Sequence, residues 1–489
     1  MWPAGSGASS SQGDFQMRMN ELRLLCNDIH SQLNSTTIRG RLAPTTLDEA
    51  ASFVHRVRSR GEFMSVCGSC HAMGGQQFAA DGWLLDMRSM NRVIDFDRQR
   101  GVIHVQAGIT WPDLIRQYVV AQRDGDSAWG IKQKQTGADR LTLGGAVSAN
   151  IHGRGLAYAP FVSDIEALEV ILADGSVVHC DREMHADLFR HVVGGYGLFG
   201  VVASVQLRLV PRQKVERVVE LCDVDEIGEA FEERIRTGYL YGDFQFSTAA
   251  DDLGFLSSGV FSCYRPVDPR TVVPEGQIRL SPADWRRLIY LAHHNKRRAF
   301  HEFTDFYLRS SGQIYWSDTH QLSVYLDDYH GGLDRACEAP VPGSEMITEL
   351  YVPRTRLAAF MSDVRRDFQR HSVDLVYGTV RLIKRDSETA LAWAREDYAC
   401  VIFNLHVDHE PRSISRSSHT FRRLIDIAIH HRGSFFLTYH RYAIAAQLLA
   451  CYPQLPEFLQ TKQRFDPDEV FRSDWYRYYQ SIGRDVEFA

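Results

Sequence analysis

At 489 residues the chain has room for about three folding units of ~150 residues and for an enclosed cofactor, which excludes a single small module. A hydrophobic share of 44% and a charged share of 24% exclude a disordered, collagen-like or coiled-coil chain. A net charge of -6 argues against nucleic acid as a partner, and nine cysteines are too sparse and odd a set for a secreted disulfide scaffold, so a reducing, cytoplasmic setting is expected.

In chain order, residues 1–14 are rich in Gly and Ser, lack the basic start and apolar core of a secretory signal, and read as a flexible tail. Met17, Leu22, Leu25, Ile29 and Leu33 fall near helical spacing, and a second periodic stretch with Phe53 and Val57 follows Pro44; the spacing predicts two short helices. Brief apolar runs at 63–67, 83–87, 93–96 and 102–105 predict strands. A helix is expected over 111–120 with Thr110 as N-cap, then a hairpin from 165–172 and 177–180 through the Asp174-Gly175 turn, a helix over 186–193 and a strand over 201–210.

Beyond a boundary placed near Arg212, strands are expected at 218–221, 243–247 and 349–352, and Leu357, Phe360 and Val364 give a helical stripe over 354–369. Residues 400–408 alternate as a strand does, with Ile402, Asn404, His406 and Asp408 on one face and Val401, Phe403, Leu405 and Val407 on the other. Residues 452–479 read as helical and aromatic. No run of about 18 consecutive apolar residues occurs, so a transmembrane span is not expected, while peripheral membrane contact stays open. The charge run from His293 to Arg298 reads as a solvated helix face, or as a surface for an anionic lipid or phosphate-bearing substrate.

Two short motifs point in misleading directions. Cys67-Gly-Ser-Cys70-His71 has the spacing of a c-type haem attachment site or a redox dithiol, but no export signal accompanies it and no strand-to-helix context supports a dithiol. Gly195-x-Gly197-x-x-Gly200 matches the dinucleotide fingerprint, which needs a strand before it and a helix N-terminus after it; here the order is reversed.

A better reading takes Cys67, Gly68, Ser69, Cys70, His71, Ala72 and the residues through Gln76 as one loop leaving a strand. Small residues let the backbone approach a diphosphate, and successive N–H groups form a nest for its charge. This string resembles the pyrophosphate loop G-x-G-H-S-x-x-G-Q of FAD enzymes of the vanillyl-alcohol oxidase type, which include cytokinin dehydrogenases and alditol and gulonolactone oxidases. Leu141 to Gly155, with Thr142, Gly144, Gly145, Ser148, Asn150, His152 and Gly153, resembles the segment that wraps the flavin in those enzymes. Residues 164–202 repeat the order strand, Asp-Gly turn, strand, helix, then Gly200-Val201-Val202.

The resemblance implies an α+β chain with a two-part FAD-binding domain over 15–212, a substrate cap over 213–451 built on an antiparallel sheet with flanking helices, and a segment 452–489 returning to the FAD domain, as in decaprenylphosphoryl-ribose oxidases. It implies FAD, attached covalently in several such enzymes through the histidine at the place of His71, or only hydrogen-bonded there. It implies hydride transfer from a CH–OH group of a small polyol, sugar or lipid-linked alcohol, with dioxygen or another acceptor reoxidising the flavin. Arg381 is expected near the flavin, with Tyr439 or His440 as the base and Asn404 and His406 lining the substrate pocket. The chain departs from the pattern at Cys70 and Ala72, at Thr379 where an acidic residue is usual, and at Tyr439 where a lysine is usual. No metal site is expected. Two other readings remain open: an FAD- and NADPH-dependent reductase of a carbon–carbon double bond, resembling the sterol Δ24-reductases, and a flavin-binding protein without catalysis.

Overall fold

The structure, a computed structural model, describes residues 23–123, 128–323, 326 and 329–487. Three larger sheets organise it. The first is parallel, in the order Gly40–Leu42, Trp83–Asp86, Met64–Cys67. Its cover is the helix Leu47–Ser59, begun by the Thr46 side chain accepting the Glu49 N–H, and Phe53, Val54 and Val57 bury against Met64, Trp83 and Leu85. The second sheet is antiparallel, in the order Val177–Cys180, Ile165–Ile171, Val201–Arg208, Val102–Gln106, Val93–Asp97. Its first two strands are the expected hairpin, since residues 172–176 allow only a tight reversal.

The third sheet holds eight antiparallel strands: Ile314–Trp316, Lys214–Asp223, Ser258–Pro266, Tyr241–Phe246, Leu375–Ile383, Tyr398–Asp408, Gly343–Pro353 and Ser434–Phe435. Alternation along Tyr398–Asp408 gives it two faces. Val401, Phe403 and Leu405 are buried with Phe368 and Phe421 of the helices Leu357–His371 and Pro411–His430. Ile402 and Asn404 face the other way, toward a cavity. The α+β class is therefore the observed one.

Several expectations fail for local physical reasons. Residues 1–14, Met17 and Leu22 lie outside the described residues, but Leu25 sits in a short strand, Leu24–Cys26, paired with Thr36–Ile38, and no helix covers Ile29 or Leu33. A polar turn network takes that stretch instead: the Asp28 carboxylate accepts from the Ser31 N–H at 2.6 Å and from Asn34 Nδ2 at 2.9 Å. The last segment is not one helix. Leu455–Phe465 and Asp474–Glu487 are separated where Pro467 follows Asp466, whose carboxylate caps the break by accepting the Val470 and Phe471 N–H groups. The run 293–298 is largely exposed, as expected, but Asn295 splits it between the helices Pro282–His294 and Lys296–Arg309, and Lys296, Arg297 and Arg298 pair with Asp374, Asp251 and Glu302. Among the described residues no helix is long and apolar enough to cross a membrane.

Candidate functional site

A cavity of about 990 Å3 runs between the two smaller sheets and the eight-stranded one, at the upper end of the ~300–1,000 Å3 typical of ligand pockets. One wall is the loop after Met64–Cys67. Gly68 packs so closely on Thr142 that a Cβ would lie 2.0 Å from the Thr142 Oγ1 atom, which locks the two glycine-rich segments together. Thr142 in turn caps the helix Leu143–Ala149, accepting the Gly145 N–H. Cys70 has φ +57°, the left-handed region that favours glycine, so the side chain there is carried at a backbone cost. The loop is also tied to residues 437–438, because the Gly74 N–H donates to the Thr438 carbonyl at 3.0 Å and Gln76 Nε2 to the Leu437 carbonyl at 3.0 Å.

Of the residues expected to hold the cofactor, Cys67, Gly68, Ser69, Cys70, His71, Ala72, Gln76, Thr142, Gly144, Gly145, Ser148, His152, Gly200 and Val202 border the cavity. Three do not. Asn150 ends the helix in a left-handed conformation and donates to the Asp386 carboxylate at 2.9 Å. Gly153 passes against Lys134, whose carbonyl would lie 2.6 Å from a Cβ. Val201 is buried behind the parallel sheet with Met64 and Ala203. Gly197 and Gly200 sit between the helix Ala186–Val192 and the strand Val201–Arg208, the reverse of a dinucleotide fold.

His71 lies in the cavity wall with its Nδ1 2.8 Å from His30 Nε2. Burial, with the neighbouring His30 and Arg140, lowers its pKa to about 3, so the ring is neutral at ordinary pH. All nine cysteines are free thiols. In the C-x-x-C pair, a hydrogen bond from Cys67 lowers the Cys70 pKa, while the same bond and burial raise that of Cys67.

Arg381, on Leu375–Ile383, borders the cavity at 7% exposure, and its Nε is buried without a hydrogen-bond partner. Gln76 Oε1 and Asn404 Oδ1 are buried and unpartnered in the same wall. These orphaned polar atoms and the closely packed glycine loop fit a polar, phosphate-bearing ligand the size of FAD.

Two expected catalytic residues are misplaced. His440 does not border the cavity; it is stacked between Phe421 and Phe435, hydrogen-bonded to Thr348 at 3.1 Å, and burial lowers its pKa to about 3, so it cannot reach a substrate proton. His406 also lies off the cavity, beside Glu345 and Asp408. Tyr439 does border the cavity, but burial and the charge of Glu349 raise its pKa well above the ordinary value, so the phenol is a proton donor rather than a ready base.

The residue that sequence reasoning missed is Glu349, on Gly343–Pro353. Its Oε1 lies 2.5 Å from His152 Nε2, 2.6 Å from the Tyr351 hydroxyl and 3.1 Å from Cys400 Sγ; its Oε2 accepts from the Tyr439 hydroxyl at 3.3 Å. Burial opposes the charge, yet His152 and the donors around it win, and the carboxyl pKa is lowered to about 2. Glu349 and Thr379 lie on the two strands flanking Tyr398–Asp408, each in register with Ile402. His152 precedes Glu349 by 197 residues, so no local motif could have shown the pair.

Residues 38–181 match the family of FAD binding domains. This part of the chain is similar to FAD binding domains. The domain is similar to L-gulonolactone oxidase of Mus musculus, 28% identical over 170 residues, or 35% of this chain and 37% of that protein. It is also similar to two cytokinin dehydrogenases of Oryza sativa subsp. japonica: number 7 at 30% over 38% of this chain and 35% of that one, and number 4 at 27% over 47% and 44%. The matched part therefore spans between a third and a half of these relatives' length. The cofactor of this domain is FAD.

Proposed function

We propose that the protein is an FAD-dependent oxidoreductase that oxidises a CH–OH group of a small polyol, sugar or lipid-linked alcohol. FAD, when bound, supplies the hydride acceptor; the FAD domain's relatives are named as oxidases and dehydrogenases. The observation that carries the reading is one cavity bordered by the 67–76 loop, by Arg381 with its unpartnered Nε, and by the Tyr439–Glu349 pair. A substrate hydroxyl that donates to the Tyr439 oxygen passes its proton through the phenol to Glu349 Oε2. A carboxylate with a pKa near 2 is a weak base, so proton loss is coupled to departure of the hydride rather than preceding it. Arg381 provides fixed positive charge where negative charge develops. His71, neutral and held by His30, is the residue for a covalent attachment of the flavin.

The test is anaerobic flavin bleaching in a stopped-flow spectrometer. Polyols, sugars and lipid-linked alcohols are offered beside NADPH. An alcohol should bleach the flavin and NADPH should not, and Glu349→Gln should slow the alcohol reaction by about 100-fold or more, the usual contribution of a proton acceptor. Bleaching by NADPH alone would establish the double-bond reductase instead.

A further inference from the structure

A second constellation lies at the other end of the strand Gly343–Pro353. Glu345 is 5% exposed, and its two oxygens are used differently. Oε2 accepts from the Tyr329 hydroxyl at 2.5 Å and lies 3.0 Å from His330 Nδ1, both on the helix Tyr329–Ala336. Oε1 makes no hydrogen bond although it is buried. Around it stand His293 Nε2 at 3.2 Å, from the helix Pro282–His294, and His406 Nδ1 at 3.8 Å, from the strand Tyr398–Asp408. Both nitrogens are likewise buried without a hydrogen bond, and the ligand atoms of the three residues lie within 4.8 Å of one another.

We propose that His293 Nε2, His406 Nδ1 and Glu345 Oε1 bind a divalent transition-metal ion, zinc by ligand type. Two imidazoles and a carboxylate suit zinc, and bonds of ~2.0–2.1 Å in tetrahedral geometry put ligand atoms about 3.3 Å apart, close to the separation of His293 and Glu345. Ion pairing alone explains the site poorly: one carboxylate charge offsets one imidazolium, whereas three histidines surround it. The outer contacts are those that orient ligands. Asp408 lies 3.3 Å from the far nitrogen of His406, and Tyr329 holds the other oxygen of Glu345. Glu345 and His330 border the cavity, so a fourth position opens toward it. An ion here ties the helix Pro282–His294 to two strands of the large sheet.

The experiment uses the full-length protein, stripped with a chelator and titrated with zinc sulfate by calorimetry, with circular dichroism as the control on folding. The native chain should take up one equivalent at micromolar concentration and unfold at a higher temperature with zinc than without. A His293→Ala/His406→Ala variant should lose both effects while keeping its dichroism. Should that variant lose its dichroism, His293→Ala alone, which alters only a helix side chain, decides the matter and should weaken binding at least tenfold. No stoichiometric uptake by the native chain, or unchanged binding in the variants, overturns the proposal. Neither result depends on flavin or on turnover, so failure here leaves the functional reading untouched.

Discussion

Glu349 shows how a single side chain is set by its surroundings. In a strand read on its own it is one polar residue among apolar ones, and only the fold brings His152, Tyr351, Cys400 and Tyr439 to it. Its depressed pKa has a thermodynamic sign. The unfolded carboxyl titrates near its ordinary value and the folded one near 2, so the ionised form stabilises the fold above about pH 4.5, and that stabilisation fades as pH falls toward 2. Urea unfolding should therefore show Glu349→Gln less stable than the parent at pH 7 by about 3 kcal/mol, the scale for breaking a buried pair, with the gap narrowing between pH 5 and pH 3. A gap that is constant with pH would mean that the carboxylate is not held ionised by its partners. Tyr439 was legible as a cavity residue, but not as a donor: burial, which the sequence does not display, sets its protonation.

At the scale of the element, the 67–76 loop was readable because its chemistry is local. Small residues followed by glycines leave few conformations, and the requirement for close approach appears in the sequence itself. The contact of Gly68 with Thr142 gives a direct test: Gly68→Ala must push the two segments apart, and the purified variant should retain far less FAD at the same dichroism, measured by its visible absorbance. Full FAD content in that variant would remove the loop from the binding site. Strands such as 83–87 and 400–408 were likewise legible, since period-two alternation and runs of branched residues are local signals. The order of the eight-stranded sheet was not, because it pairs segments as distant as Phe244 and Val380. The misread stretch around Leu25 and Ile29 shows the opposing case, in which apolar spacing loses to side chains such as Asp28 that hydrogen-bond the backbone.

For the whole molecule, the last residues join to the first sheet. The Met64 N–H donates to the Val470 carbonyl at 2.7 Å, the Arg472 N–H to the Met64 carbonyl at 2.9 Å, and the Asp474 carboxylate accepts from the Ala80 N–H at 3.0 Å and the Thr36 hydroxyl at 3.2 Å. Asp474→Ala should leave the Ala80 N–H unpaired, while the Thr36 hydroxyl keeps the Asn34 carbonyl as acceptor, and lower the unfolding free energy by about 1–3 kcal/mol in urea melts; an unchanged midpoint would show that the return adds nothing. The cavity lies between the FAD domain and the large sheet, so every functional statement depends on FAD filling it. The most direct measurement is the visible spectrum of the purified protein, before and after dialysis against FAD, followed by acid precipitation. A yellow protein with one FAD per chain is the predicted result, with the colour staying in the pellet if His71 carries the flavin. A colourless protein that takes up no FAD would contradict the account.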